Sequence, residues 1–299
     1  MINVLRFFCF FIINICLSIS CNNRSRQNEN YSDTLYILHA GSFSVPLQWI
    51  KDSFQNHYPY IKICAEACGS KQCIRNIIDL QRKCDVFISA DKKLIDSMLV
   101  PHYADSSYFL MSNEMVIAYN NQSKYAQNIT KKNWYQILSK DDVCLTFSDP
   151  SSDPCGARVL SVITLSIDYY KEPMLYKKIL GKDNIIIRSK EVDVLTLLDL
   201  NEADYTIIYK SVAIQHQLNY ISLPDSINLS NFKLADWYKQ HFIQYKQSDG
   251  TIKRERIEPI EYGYTNLKTS KHSESVKKFL RFMRSTPVKS ILEKTGHKL

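Results

Sequence analysis

The sequence predicts an α/β protein of two lobes, joined by crossings of the chain, with a ligand cleft between them. Three observations predict it. Short apolar runs alternate with stretches of helical periodicity over roughly the last 265 residues, enough to bury two cores. The run from Tyr108 to Tyr119 is long and apolar enough to be a strand that leaves one lobe and enters the other. Finally, His39-Ala40-Gly41-Ser42, Gly69-Ser70, Asp153-Pro154-Cys155-Gly156, Glu191 and Tyr209-Lys210-Ser211 all fall where a strand hands over to a helix or where a helix begins. Such junctions present N–H groups and the positive end of a helix dipole, and open α/β sheets gather ligands there. The ligand chemistry this placement suits is a small oxyanion.

Each element follows in order. Leu35 to Leu38 is a short apolar strand, and Ser42 or Ser44 is placed to cap a helix with Pro46 in its first turn and Leu47, Ile50 and Phe54 facing inward. Ile61 to Ala67 is the second strand. Ser70 is placed to cap the next helix, whose Cys73, Ile74, Ile77 and Leu80 recur at helical spacing, and Asp85 to Ser89 returns as a third, parallel strand. Cys144 to Phe147 is a strand in the second lobe. Asp153 followed by Pro154 is an N-cap and N1 pair, opening a strongly apolar helix over Cys155 to Tyr170. Ile185 to Ile187, a helix from about Glu191 to Leu200, and Tyr205 to Tyr209 complete that lobe. Tyr262 to Thr265 and a helix over Ser273 to Arg284 return to the first. The lobes are expected over 33–111 with 222–299, and over 112–221, with hinges near Met111 to Met115 and Tyr220 to Leu223.

Residues 1–20 carry Arg6 and an apolar run from Phe7 to Leu17, too short to span a bilayer comfortably, and read as a secretory signal. The segment ends in Leu17-Ser18-Ile19-Ser20-Cys21, which resembles a bacterial lipobox with Cys21 as the lipidated residue; simple cleavage is the alternative. Residues 21–32 are polar and read as a tether from that anchor on the extracytoplasmic or periplasmic face of the membrane. The formal charge of +8 favours encounter with anions. Its Lys and Arg are not clustered with interleaved aromatics, which argues against nucleic acid. Of nine cysteines, Cys64, Cys68, Cys73, Cys84, Cys144 and Cys155 lie in the folded part, as buried thiols or in one or two disulfides. Their spacing is not that of a zinc site.

His39-Ala40-Gly41-Ser42, Ala67-Cys68-Gly69-Ser70-Lys71-Gln72-Cys73-Ile74-Arg75, Asn133-Trp134-Tyr135, Asp153-Pro154-Cys155-Gly156, Lys190-Glu191-Val192-Asp193 and Tyr209-Lys210-Ser211-Val212-Ala213-Ile214-Gln215-His216 resemble the tungstate/molybdate-binding proteins of the WtpA type. The resemblance covers nearly the whole exported chain. It implies a type II periplasmic-binding-protein fold, an ABC-transporter permease as partner, a monomer, no cofactor and no enzymatic activity. It also implies ligand contacts from Gly41, Ser42 and Ser70 in the first lobe and from Asp153, Pro154, Cys155, Glu191 and Tyr209 in the second. Asp153 and Glu191 are implied to reach the metal of the oxyanion itself, expanding tetrahedral tungsten or molybdenum toward six-coordination.

The chemistry of these residues can be weighed separately. Ser42, Ser70 and Tyr209 offer donors to a dianion that only accepts. Carboxylates beside a dianion repel it unless they coordinate its centre, and hard oxygen donors suit a high-valent metal but not sulfur or phosphorus. Helix capping by Asp153 and first-turn placement of Glu191 are the plain alternatives, as is a receptor for sulfate or phosphate. A nucleophile at Cys155 or Ser42 has no assembled base; His39 beside the first loop reads as a packed residue.

Overall fold

The computed structural model describes residues 31–299, the side chain of Val192 excepted. The segments expected to be signal and tether, up to Asn30, and the expected anchor residue Cys21 lie outside the described residues. Among those described, no helix is long and apolar enough to cross a membrane.

β1 (Asp33–Ala40), β2 (Ile61–Cys68) and β3 (Val86–Ser89) pair in parallel, linked by α1 (Ser44–His57) and α2 (Ser70–Ile78). After α3 (Lys92–Met98), β4 (Tyr108–Ser112) ends this first sheet. The run expected to be one strand is therefore two. Asn113 and Glu114 break it, and β5 (Met115–Tyr119) enters a second sheet. The break has a physical cause: the Asn113 side chain accepts from the Glu114 N–H and donates to Ser211 Oγ at 2.7 Å, which turns the backbone out of the ladder.

α4 (Trp134–Leu138) is followed by β6 (Leu145–Ser148), α5 (Pro154–Tyr170), α6 (Leu175–Leu180), β7 (Ile185–Arg188), α7 (Glu191–Asp199), β8 (Tyr205–Tyr209), α8 (Lys210–Gln215) and β9 (Asn219–Ser222). The second sheet has the order β7-β6-β8-β5-β9. α9 (Asp225–Asn228), which packs on α5, and α10 (Ala235–Lys239) lead to a hairpin, β10 (Phe242–Lys246) and β11 (Ile252–Arg256). Its turn is closed by Gly250 at φ +88°, a conformation glycine adopts freely. β12 (Glu261–Asn266) then returns antiparallel between β3 and β4, so the first sheet is mixed, and α11 (Ser273–Phe282) and α12 (Thr286–Lys294) finish the chain.

The core residues are those the periodicity selects. Leu47, Ile50 and Phe54 of α1 are buried in the same core as Phe279 and Phe282 of α11, with Phe54 edge-on to both rings. Leu80 is an exception. α2 ends at Ile78, and Leu80 lies beyond it, 65% exposed. The cysteine question resolves into one disulfide, Cys68–Cys73, which ties the end of β2 to the first turn of α2; Cys64, Cys84, Cys144 and Cys155 are free. Of these four thiols only Cys64 is half-exposed, and burial pushes Cys84 up to about 12. We expect Cys64 to be alkylated first in the native protein and the other three only on unfolding; mass mapping after timed alkylation checks this.

Candidate functional site

The sequence-predicted residues converge where the two sheets face each other across their connecting strands. The capping roles expected of the serines are replaced by others. Residues Gly41–Phe43 form a 3-10 turn without a side-chain cap, and Ser42 Oγ instead accepts from Tyr262 OH at 2.7 Å. Ser70 is the first residue of α2, not its cap; its Oγ accepts from the Ala90 N–H at 3.0 Å, which leaves its proton for another acceptor. Both hydroxyls are buried at helical N-termini.

From the other side, Asp153 caps α5 as the Asp-Pro pair predicts, its Oδ1 accepting from the Cys155 N–H at 2.9 Å. Its Oδ2 accepts from the Glu191 N–H, also at 2.9 Å, so one carboxylate binds two helix starts together. The Cys155 amide is thus held by the cap. Pro154 is buried beside it, and the Cys155 thiol, pushed up by burial and by the neighbouring Glu191 and Asp153, stays protonated. Gly156 follows where no side chain fits, since a Cβ there would lie 2.0 Å from the Ser148 carbonyl oxygen.

Glu191 opens α7 and is buried with 1% of its surface exposed. Its Oε1 finds no partner among the protein's groups, and neither does Tyr209 OH. Burial, then the charge of Asp153, pushes the Glu191 carboxyl well up, against a hydrogen bond from Ser42. Asp153 is pushed up to about 6 by burial, opposed by its two amide donors. Tyr209 and Tyr262 stack edge to face at 5.7 Å, and burial keeps both phenols protonated as donors. Tyr262 was legible only as a strand residue. Nothing in the sequence marks its contact with Ser42, 220 positions away. His39 is packed and neutral, its ring within 2.9 Å of the Ala40 carbonyl and its pKa lowered to about 4 by burial.

A ring of contacts across the cleft surrounds these residues. Lys71 Nζ donates to Pro150 O at 2.9 Å and to Tyr245 OH, Arg75 donates to Ser151 O at 3.1 Å, and the Gln72 N–H to Ser152 O at 3.3 Å. Arg158 from α5 reaches Asp91 and the Glu258 carbonyl. The described form is therefore closed, with side chains of α2 gripping the loop before α5. Among the described residues no group of three or more His, Cys, Asp or Glu could hold a metal cation. The site is a pair of hard carboxyls opposite hydroxyl donors.

The family model described as bacterial extracellular solute-binding protein matches residues 35–298. The chain belongs to that family. Its members carry solutes for transport and are not enzymes, and this chain is a solute-binding protein with the two-lobed fold of the periplasmic binding proteins. It is 40% identical to the molybdate/tungstate-binding protein WtpA of Thermococcus kodakarensis, over 89% of this chain and 83% of that one. It is 39% identical to the WtpA of Pyrococcus abyssi, over 86% and 82%. The solved periplasmic molybdate-binding protein of Azotobacter vinelandii superposes with a TM-score of 0.68 at 15% identity, covering 89% of this chain and 99% of that one. The sulfate-binding protein SubI of Mycobacterium tuberculosis gives 0.65 at 10%, covering 89% and 86%. These two likenesses concern the fold alone.

Proposed function

We propose that this protein captures tungstate or molybdate outside the cytoplasm and delivers it to the permease of an ABC importer, as a monomer anchored through lipid on Cys21. Gly41, Ser42, Ser70 and Tyr209 hold the oxyanion's oxygens through backbone and hydroxyl donors, and Asp153 and Glu191 coordinate its metal. The observation that carries this reading is the buried Glu191 carboxyl, whose Oε1 has no donor and whose neighbour is a second carboxyl. Two such groups around a sulfate or phosphate would be repelled. Around a high-valent metal that accepts further oxygen ligands they are compensated.

Closure follows from the same geometry. The lobe expected over 33–111 and 222–299 swings toward the one over 112–221 at the crossings near Asn113-Glu114 and Ser222-Leu223, and the Lys71, Arg75 and Arg158 contacts form. Titration calorimetry with tungstate, molybdate and sulfate at one salt concentration tests the reading. Tight binding of the first two and none of the third is expected. Equal or sulfate-favoured binding would make the protein an ordinary oxyanion receptor and remove the coordinating role of Asp153 and Glu191.

A further inference from the structure

Residues 267–299 hold nine Lys and Arg against two Glu, so the chain's formal excess of +8 is concentrated in its last two helices and the loop before them. On α11, Lys277 and Arg281 stand four residues apart and are both exposed, which aligns them on one ridge, with exposed Lys271 just ahead of the helix and exposed Arg284 just past its end. Only Lys277 of Lys271, Lys277 and Arg281 has an ion-pair partner among the described residues, and that partner, Glu274, is itself exposed. Beside the start of α11 opens a cavity of about 760 Å³ whose wall carries Arg82, Lys83, Lys271 and His272 over Ile77, Ile78 and Leu267.

The chain enters the fold at this same place. The Ser32 N–H donates to Tyr60 O at 2.9 Å, Asp33 pairs with His272 and accepts from Ser275 in the first turn of α11, and Lys278 reaches Tyr60 OH at 3.1 Å. The segment from Cys21 to Ser32 spans at most about 40 Å fully extended.

We propose that the exposed ridge of α11, with Lys271 and the basic cavity at its start, docks on a membrane surface of anionic phospholipid headgroups. Charge complementarity and the point of chain entry select this occupant. A lipid on Cys21 would hold the ridge against the bilayer, and clustered cations beside a single anchor supply the second signal that stable membrane attachment needs. The orientation rests on that anchor; the affinity of the ridge for anionic lipid does not, nor does it depend on which oxyanion the cleft takes.

The test is sedimentation of the full-length chain with vesicles of phosphatidylcholine alone or with about a third phosphatidylglycerol. Binding to the anionic vesicles should be stronger and should fall as salt is raised. The variant Lys271→Gln/Lys277→Gln/Arg281→Gln should lose on the order of 100-fold of that preference, each cation near such a surface being worth about a factor of five. Removing equal charge elsewhere, by Lys131→Gln/Lys132→Gln/Lys177→Gln, should leave it unchanged. Equal binding to both vesicles, or equal loss in both variants, overturns the proposal; the second outcome would mean net charge alone acts, and the first that the ridge serves another acidic partner. Retained oxyanion binding in each variant shows that it is folded.

Discussion

Glu191→Gln should lower tungstate and molybdate affinity on the order of 100-fold and at the same time raise sulfate affinity. The opposite signs come from one geometry. Glu191 Oε1 lies buried without a donor, next to the charge of Asp153, in a site otherwise built of hydroxyl donors. For a ligand whose centre accepts an oxygen, exchanging the carboxylate for a neutral amide removes a desolvated charged contact, which costs about 2–5 kcal/mol. For a tetrahedral dianion that accepts nothing, the same change removes a repulsion and adds an amide donor. Asp153→Asn should act in the same direction but also disturb the fold, because Asp153 holds the Cys155 and Glu191 amides. Parallel titrations of the two variants with tungstate and sulfate check this. A uniform small change for both ions would leave Glu191 as a first-turn residue only.

The same pair sets a pH dependence in the ligand-free protein. Both carboxyls have folded pKa values above their usual range: Asp153 at about 6, chiefly through burial, and Glu191 well up through burial and then the charge of Asp153. The folded chain therefore binds protons more tightly here than the unfolded chain does. This contribution is favourable below about 4, where both states are protonated, and is lost as pH rises through the folded values. That is the reverse of a salt-bridged carboxylate. Glu191→Gln should consequently raise the melting temperature at neutral pH and flatten its slope between mildly acidic and neutral pH. A variant that melts lower than its parent at neutral pH contradicts the uncompensated charge assigned to Glu191.

Much of this site is legible along the chain because helix starts have local signatures. Asp153-Pro154 fixes both a cap and the entry angle of α5, and Tyr205 to Tyr209 is a buried strand by its apolar run alone. The serines show the limit of that kind of reading. A Ser at a helix start suggests a cap, yet Ser42 and Ser70 bond to Tyr262 and to the Ala90 amide, partners supplied by other strands. The break of Tyr108 to Tyr119 is a similar case, since the Asn113 side chain turns the chain by reaching Ser211. The hairpin β10–β11 leaves only Asp249-Gly250 as a turn signal, and its Tyr245 and Glu255 meet Lys71 through tertiary packing. Pairings over long sequence distances carry no periodicity, so they are fixed by the fold and not announced by the residues themselves.

Gly69→Ala should leave the ligand-free protein folded and weaken oxyanion binding at least about tenfold, through closure alone. Gly69 has φ −58° and ψ 136°, a backbone that alanine adopts without strain, so its own lobe has no objection to a methyl group. Across the cleft the objection is strong. A Cβ at Gly69 would stand 2.6 Å from the Ser152 carbonyl oxygen and 3.3 Å from Asp153 Cβ, in the loop that α2 grips. That carbonyl has little freedom to withdraw, because the Ser152 N–H is tied to Asp149 O and its Oγ to Ser189 O. The closed state is therefore raised in energy while the open state is untouched, and the apparent affinity falls with the population of the closed form. Gly156→Ala is the contrasting case, since its 2.0 Å clash with Ser148 lies within one lobe and should destabilise the fold with or without ligand. Small-angle scattering separates the two effects: Gly69→Ala should stay extended at ligand concentrations that compact the parent, with an unchanged melting temperature before ligand is added. Full compaction at the parent's concentration would show that the loop yields, and that closure does not depend on the bare backbone at Gly69.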